Sequence, residues 1–229
     1  CAILSNGSTW CWGANSGGQT GQGFTSYSVN VPSYVHFPAN ESAIEIKAGY
    51  THTCALLSNR SVSCWGEGED GQLGDGMATD SLTPVHVNLP QGRSVEKFDS
   101  GGQYNCAILD DASVHCWGRW YYDNPYQVDL NVDGDGQSYT QSNATRPVSI
   151  STTRISSCAI LDDGSVRCWG SDIYGLLGDG GSNNGGGSIF QAVGVQLPEG
   201  RRATSIDMGK NHACLFGLVA SHSNGHADS

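Results

Sequence analysis

The chain contains 229 residues, of which 32 are glycine, and only 14% of its residues are charged. Its 22 acidic and 11 basic residues give a net charge of −11, and such a surface repels the phosphates of nucleic acid and of anionic membranes. No apolar run approaches the roughly 18 residues of a membrane span. We therefore expect neither nucleic acid as a partner nor membrane insertion. Abundant glycine and the lack of helical periodicity predict an all-β protein rich in turns.

The first predicted element is a β-hairpin that recurs along the chain. It reads CAILSNGSTWC at 1–11, CALLSNRSVSC at 54–64, CAILDDASVHC at 106–116 and CAILDDGSVRC at 158–168, each followed by Trp-Gly. A three-residue turn that ends in the left-handed region brings the two cysteines of each copy opposite each other. Gly7 and Gly164 suit that last turn position. Arg60 and Ala112 either adopt it under mild strain or change the turn type.

Opposed cysteines on neighbouring strands lie within the reach of a disulfide. The predicted bridges are Cys1–Cys11, Cys54–Cys64, Cys106–Cys116 and Cys158–Cys168. Zinc is the alternative use of paired cysteines, but it prefers shorter C-x2-4-C spacings. Disulfides indicate an oxidising, extracellular or cell-surface location. The sequons at Asn6, Asn40, Asn59 and Asn143 are glycosylation candidates that agree with secretion, although chance alone supplies nearly as many.

The segments between the hairpins also recur. A glycine-rich loop follows at 13–23, 66–76 and 170–180; then comes an apolar-proline element such as 83–85 or 146–148, and last a short alternating strand such as 43–46, 94–98 or 204–208. Three clear strands and a fourth in each ~52-residue period predict one antiparallel sheet per unit, and such sheets must stack to bury both faces. The predicted units of this single repeat domain are 1–53, 54–105, 106–157 and 158–213, with a partial fifth at 214–229.

The order of these motifs resembles a known repeat. Gly-x-x-His-x-Cys-Ala-Leu, a hairpin turn, Cys-Trp-Gly and Gly-Gln-Leu-Gly-Asp-Gly follow one another in residues 48–76, and 158–180 match well too. This order resembles the regulator-of-chromosome-condensation repeat, which implies a β-propeller with four-stranded blades, seven in the best-known members. The chain is then part of a longer propeller, which we favour, or closes with an unusual blade number. Its paired cysteines resemble those of extracellular relatives, among them secreted bacterial propellers and crinkly-type receptor kinase ectodomains.

The resemblance carries a fold but no particular activity. Members of the family exchange nucleotides on a small GTPase, bind chromatin or inhibit a β-lactamase. These activities depend on family-specific loops, and a shared fold does not transfer them. No position in this chain matches an exchange-site residue, and acidic composition with oxidised cysteines argues against a nuclear role.

The third repeat replaces its glycine-rich loop with an insert at 119–145. Asp129, Asn131, Asp133 and Asp135 lie there in the order D-x-N-x-D-G-D, the first half of an EF-hand-like loop, so calcium is a candidate ligand. Position twelve of that loop is Thr140 and lacks the usual bidentate glutamate. An acidic glycine-rich turn gives the same string without an ion, and no other cofactor is expected.

The insert also concentrates aromatic residues, namely Trp120, Tyr121, Tyr122, Tyr126 and Tyr139. An exposed cluster of this kind marks a contact with a protein or glycan. The alternative is that the rings pack the insert onto its own blade.

Two other recurring residue types read as structural. His52 and His212 stand two residues before a cysteine, but Tyr104 and Ser156 occupy that position elsewhere, so a hydrogen-bonding role fits better than catalysis. Trp12, Trp65, Trp117 and Trp169 are predicted to pack between blades.

These observations favour a non-enzymatic protein, because no catalytic set of residues stands out. The first hypothesis is a structural subunit of a surface assembly, such as an extracellular fibre or a flagellar hair, that binds other proteins or itself. The alternative is a receptor-type or inhibitor module that binds a protein or glycan through its inter-blade loops. Cys214 has no hairpin partner, which indicates an external partner or a missing stretch. We expect 204–208 to pair with the Cys214 segment, and the Cys1 hairpin to be completed by chain outside residues 12–203.

Overall fold

The computed structural model describes residues 1–38, 41–119, 121–130, 145–154, 156–181 and 191–219. Within these residues the chain forms 17 strands in five antiparallel sheets and no α-helix. None of the described segments forms a helix long and apolar enough to cross a membrane.

The five sheets follow one another along the chain. The first contains β1 (Ala2–Ile3), β2 (Thr9–Asn15) and β3 (Ser26–Tyr34). The second contains β4 (Ala43–Ala48), β5 (His52–Leu57), β6 (Val62–Gly66) and β7 (Ser81–His86), and the third β8 (Val95–Ser100), β9 (Tyr104–Leu109), β10 (Val114–Gly118) and β11 (Tyr121–Val128). The fourth contains β12 (Pro147–Thr152), β13 (Ser156–Leu161), β14 (Val166–Gly170) and β15 (Val193–Gly194), and the fifth β16 (Arg201–Met208) and β17 (Ala213–Val219). Strands within each sheet pair in sequence order.

The repeated hairpin forms the middle of each complete sheet. Cys158 lies opposite Cys168 and Ile160 opposite Val166, and the second and third sheets have the same register. All four predicted disulfides are present, each closing a sequence separation of 10 residues. The strand before each hairpin contributes the first strand of the sheet. In the fifth sheet this strand pairs with the Cys214 segment as predicted, with Asp207 opposite Cys214.

The hairpin turns adopt the left-handed conformation in every copy. The φ angle is 80° at Gly7, 68° at both Arg60 and Ala112, and 79° at Gly164. Arg60 and Ala112 therefore adopt the strained conformation and leave the turn type unchanged. A side-chain oxygen one residue earlier stabilises each turn, because it accepts a hydrogen bond from the serine amide two residues on. The pairs are Asn6–Ser8, Asn59–Ser61, Asp111–Ser113 and Asp163–Ser165, at 2.8–3.0 Å.

The apolar-proline elements are not equivalent, contrary to the expectation. Residues 83–85 lie in β7, the fourth strand of the second sheet, whereas Pro147 begins β12, the first strand of the fourth sheet. The fourth strand of the third sheet is β11, inside the insert. It pairs with β10 over Val114↔Val128 and Cys116↔Tyr126. The sequence of β11 does not alternate clearly between apolar and polar residues. Its strand conformation comes from backbone pairing with the β9–β10 hairpin.

The hydrophobic core lies between the sheets. Side chains alternate along each hairpin, so the cysteine face of one sheet packs on the alanine face of the next. Between the second and third sheets, Leu56 and Val62 meet Ala107, Leu109 and Trp117, all buried. The contacts of the first sheet with the second and of the third with the fourth repeat this arrangement, whereas the fifth sheet contributes Ala203 and Met208 of β16 to its contact with the fourth. Both faces of a middle sheet are therefore covered.

The first strands of successive sheets, β4, β8, β12 and β16, are the inner strands, and polar side chains join them. Lys47 Nζ lies 3.3 Å from Asp99 Oδ1. Asp99 Oδ2 accepts a hydrogen bond from Thr152 N at 2.8 Å, and Ser151 Oγ accepts one from Met208 N at 3.2 Å. Burial lowers the pKa of Lys47, but the carboxylates of Asp99 and Glu45 outweigh it and raise that pKa overall. One polar residue per sheet thus fixes the next inner strand.

Candidate interaction surfaces

In the second, third and fourth sheets, one tryptophan anchors each sheet to the preceding one. Trp65, Trp117 and Trp169 are fully buried. Trp65 Nε1 donates a hydrogen bond to the Gln19 carbonyl at 3.0 Å. A Cβ atom at Gly21 would lie 2.7 Å from Trp65 Nε1, and one at Gly74 would lie 2.6 Å from Trp117 Cδ1. Glycine in the preceding loop is therefore needed to admit the indole ring.

A buried hydrogen-bond network crosses the same contact near the inner strands. His52 Nε2 lies 2.9 Å from Asn105 Oδ1, and Asn105 Nδ2 donates to the Gln72 carbonyl at 2.9 Å. In the next sheet contact, Ser157 Oγ donates to Tyr104 OH at 3.2 Å. Burial lowers the pKa of His52, although its hydrogen bond to Asn105 opposes this. His52 is thus buried and hydrogen-bonded, as predicted. His212, expected to act alike, is exposed on the fifth sheet.

Trp12 is an exception, and its predicted burial is wrong. Its side chain is 46% exposed, and Leu4 on the same face of the first sheet is 48% exposed. Both lie on the alanine face, which packs on a preceding sheet elsewhere in the structure. Within the described residues no sheet covers this face of the first sheet. Burial of the repeat tryptophan thus depends on a neighbouring sheet.

A groove between the fourth and fifth sheets corresponds to the position that tryptophan fills elsewhere. We call it the tryptophan slot; its volume is about 330 Å³ and its lining includes Leu177, Gly178, Val195 and Leu215. In the second repeat, the residues that correspond to Leu177, Gly178 and Val195 are Leu73, Gly74 and Val87. These three residues contact Trp117. Tryptophan follows the first hairpin cysteine by eleven residues in the other repeats, but that position after Cys214 is Gly225, outside the described residues. The described chain supplies no tryptophan to this slot.

The turns that join the first and second strands of the sheets form a second surface. These inner turns contact one another: Tyr50 N donates to the Gly102 carbonyl at 3.0 Å, and Gly102 N donates to the Thr153 carbonyl at 3.2 Å. They surround a depression of about 240 Å³. Tyr50 is 55% exposed, and Arg154 and Lys210 in equivalent turns are also exposed. An aromatic ring and two cations are thereby presented together on an acidic protein.

The calcium prediction falls largely outside the described residues. Of the four proposed ligands only Asp129 is described. It forms a backbone bridge with Gln191, and its carbonyl accepts a hydrogen bond from Ala192 N at 3.3 Å. Asn131, Asp133 and Asp135 lie in the undescribed part, so this site stays a prediction. Elsewhere in the described ranges no three His, Cys, Asp or Glu side chains group as metal ligands.

The other predicted surface residues are only partly described. Tyr126 on β11 is 41% exposed. The side chains of Trp120, Tyr121, Tyr122 and Tyr139 lie outside the described part of the chain, as do the sequons at Asn40 and Asn143. Asn6 and Asn59 are exposed in hairpin turns, where their sequon serines donate to them. The turn alone therefore accounts for these two Asn-x-Ser strings, whose glycosylation stays a prediction.

Four-stranded antiparallel sheets that stack through buried tryptophans are typical of a β-propeller, and comparisons with known proteins agree with this architecture. Residues 6–56 and 61–108 match the family described as "Regulator of chromosome condensation (RCC1) repeat", and residues 43–72 match a second profile of that repeat. The fold is similar to that of human WBSCR16, with a TM-score of 0.77, 17% identity and coverage of 94% of this chain and 55% of that one. Residues 6–108 therefore resemble RCC1 repeats, and the fold of the chain is an RCC1-like β-propeller fold.

Other similar proteins are longer than this chain. Yeast RCC1 (Prp20), whose structure is known bound to Kap60, gives a TM-score of 0.71 at 18% identity, over 94% of this chain and 51% of that one. The Arabidopsis thaliana mitochondrial protein RUG3 is 29% identical over 92% of this chain and 48% of its own length. The human ubiquitin ligase HERC2 is 24% identical over 95% of this chain and 4% of its own length. The chain spans about half or less of the length of these relatives.

Proposed function

We propose that the protein is a non-enzymatic, extracellular interaction module that acts as a subunit of a surface assembly such as a fibre or a flagellar hair. The observation that carries this proposal is a pair of apolar surfaces that are exposed within the described part of the chain. One presents Trp12 and Leu4, the other the tryptophan slot, and both correspond to surfaces that are buried between the middle sheets. Large exposed apolar groups of this kind mark protein contacts. The complex of yeast RCC1 with Kap60 supports a protein as the partner.

The four disulfides support the extracellular part of the proposal. Each joins the two sides of one hairpin, and such bonds persist in oxidising compartments but not in a reducing cytosol. Labelling intact cells of the source organism with a membrane-impermeant amine reagent tests this location. We expect labelled protein whose non-reduced peptides contain the four hairpin bridges. Unlabelled protein with free thiols at these positions would exclude an extracellular role.

Assembly is tested by sedimentation velocity of the purified 229-residue chain over a wide concentration range. A subunit of an assembly associates by mass action, so its average sedimentation coefficient rises with concentration. We expect species larger than a dimer. A single monomer peak at every concentration contradicts self-assembly and leaves a heterologous partner as the remaining form of the proposal.

A second candidate function rests on the inner-turn surface. We propose as the alternative a receptor-type or inhibitor module whose inner turns bind a protein or glycan that carries acidic groups. Exposed Tyr50 beside Arg154 and Lys210 supports this role, because aromatic rings and cations are favoured at such contacts. Substituting Arg154 and Lys210 by alanine should abolish retention on an immobilised acidic polysaccharide. Unchanged retention would remove this alternative, and unchanged sedimentation serves as the folding control.

A further inference from the structure

The inner turns place different residues at one equivalent position. In four successive sheets this position holds Tyr50, Gly102, Arg154 and Lys210. All four residues line the same depression of about 240 Å³. Tyr50, Arg154 and Lys210 are exposed, whereas Gly102 is buried between the turns. One aromatic ring and two cations therefore surround a turn that has no side chain at this position.

Glycine in the third inner turn keeps the depression open. A Cβ atom at Gly102 would lie 2.9 Å from Tyr50 Cε2, and one at Gly101 would overlap the carbonyl oxygen of Thr153. The third turn thus contributes only backbone at these two positions. The Tyr50 ring lies against that backbone and remains 55% exposed at the edge of the depression.

The depression differs in charge from the chain as a whole. The chain has 22 acidic and 11 basic residues, but among the described residues that line the depression none is Asp or Glu. No ion pair between described residues uses Arg154 or Lys210. The remaining lining includes the hydroxyl residues Ser100 and Thr152 and the backbone of several glycines. The depression is therefore a positive, polar site on an acidic molecule.

Acidic residues lie beside this site. The Glu67 amide donates a hydrogen bond to the Thr51 carbonyl at 3.0 Å, so the loop that carries Glu69 and Asp70 lies next to the second inner turn. Both of these residues are exposed. A broad acidic protein surface would meet like charges here, which disfavours its binding. A narrow acidic ligand reaches the two cations without covering this loop.

From these features we infer that the depression binds a carboxylated sugar of an acidic polysaccharide. The sugar ring stacks on Tyr50, and its carboxylate pairs with Arg154 and Lys210. This inference rests on the second function proposed above and names its ligand. The face of an aromatic ring is partially negative and attracts the C–H groups of a sugar ring. The volume is below the roughly 300–1,000 Å³ of pockets for drug-sized ligands, so it suits one sugar ring.

Titration calorimetry with an oligomer of galacturonic acid tests the site on the 229-residue chain. Tyr50→Ala removes the ring and keeps the charge, and Arg154→Gln removes a charge and keeps much of the side chain. Each should raise the dissociation constant about fivefold, the usual range for one exposed contact. Tyr50→Phe keeps the ring and should bind like wild type. Added salt should weaken binding, because it screens the charge pair.

Arg60→Gln is the matched control. Arg60 is an exposed arginine in the hairpin turn, at the other end of β5 from Tyr50, so its loss removes the same charge away from the site. We expect wild-type affinity for this variant. The substituted side chains are exposed, so the melting temperatures of all the variants should equal that of wild type, which serves as the folding control.

Polyglutamate of the same charge distinguishes a sugar from an acidic protein. We expect it to bind more weakly than the galacturonic acid oligomer. Equal affinity for polyglutamate, or unchanged sugar binding by Tyr50→Ala, overturns the sugar site while the binding of acidic partners stands. A loss of affinity in Arg60→Gln as large as in Arg154→Gln also overturns it, since only the net charge would then matter. A chain that binds neither probe overturns both this inference and the second function.

Discussion

At the scale of single residues, the repeat tryptophan shows how strongly an environment depends on the neighbouring sheet. Trp12 and Trp117 lie in the same Cys-Trp-Gly sequence at the end of their hairpins, but Trp12 is 46% exposed and Trp117 is fully buried. The difference is the presence of Leu73, Gly74 and Val87 around Trp117. The same side chain is thus a core residue in one repeat and a surface residue in another.

Substitution of these two tryptophans should have opposite effects on stability. Trp117→Ala removes a buried ring and leaves a cavity, so the free energy of unfolding should fall by about 3–5 kcal/mol. Trp12→Ala should change it by less than about 0.5 kcal/mol, as for ordinary surface positions. Denaturation in urea at a concentration where the chain is monomeric measures both. Equal losses in the two variants would contradict the assigned environments.

Buried His52 should make stability depend on pH. Its pKa lies below the usual 6.5 because burial disfavours the charged ring. Below pH 6.5 the unfolded chain therefore binds a proton that the folded chain does not, and the free energy of unfolding falls as pH decreases. His52→Gln keeps a donor for Asn105 without the titration, so its stability should decline less between pH 6.5 and acid. Burial also lowers the pKa of His115. The unfolding free energy of His52→Gln should therefore still fall with decreasing pH, but less steeply than that of wild type.

The His52 prediction has a direct readout in chemical denaturation at several pH values. The unfolding free energies of wild type and His52→Gln should diverge as pH falls through 6.5. Parallel curves over this range would show that His52 titrates alike in the folded and unfolded chains.

At the scale of elements, the hairpin turn has one strained position that glycine fills in only two of four copies. Ala112 has φ of 68° and Gly7 has φ of 80°, in the left-handed region that costs a residue with Cβ about 1–2 kcal/mol. Ala112→Gly relieves this strain and should raise the unfolding free energy. The gain is limited to about 1 kcal/mol, because glycine also increases the entropy of the unfolded chain. Gly7→Ala should lower the unfolding free energy by about 1 kcal/mol.

The Gly7 variant tests the backbone alone, because the added Cβ would lie 3.6 Å from Ser42 Cβ, an ordinary contact. Thermal melts of the two variants are sufficient. Shifts in the same direction would refute strain at this position.

The hairpin disulfides should stabilise single sheets. Replacing both Cys106 and Cys116 by alanine should lower the unfolding free energy by roughly 3 kcal/mol. The loop that the bridge closes is short, so loss of the bridge itself contributes at most about this amount. The small cavities left by the two sulfur atoms lower the unfolding free energy further. The matched control is Cys214→Ala, because Cys214 is exposed and forms no bridge. Denaturant titrations without reductant compare them, and a loss as large in the control would count against this role.

At the scale of the whole molecule, local sequence signals predicted the hairpins but not the contacts between them. Cysteine spacing and turn residues are short-range features, and they fixed the register of Cys158 with Cys168. β11 was missed, since residues 121–128 lack alternation and gain their strand from pairing with β10. The bond between His52 and Asn105 joins residues 53 apart, so it follows only from the stacking of two sheets. The exposure of Trp12 was missed for the same reason.

The contacts between sheets run from each sheet to the next, and this has a consequence for cooperativity. In such a one-dimensional array, stability is a sum of repeat terms and nearest-neighbour coupling terms. Within the described residues, the second and third sheets have two coupled faces, while the first has one covered face and the fifth has no tryptophan in its contact with the fourth. Amide hydrogens of β5 and β9 should therefore exchange only on global unfolding, and those of β17 through local fraying.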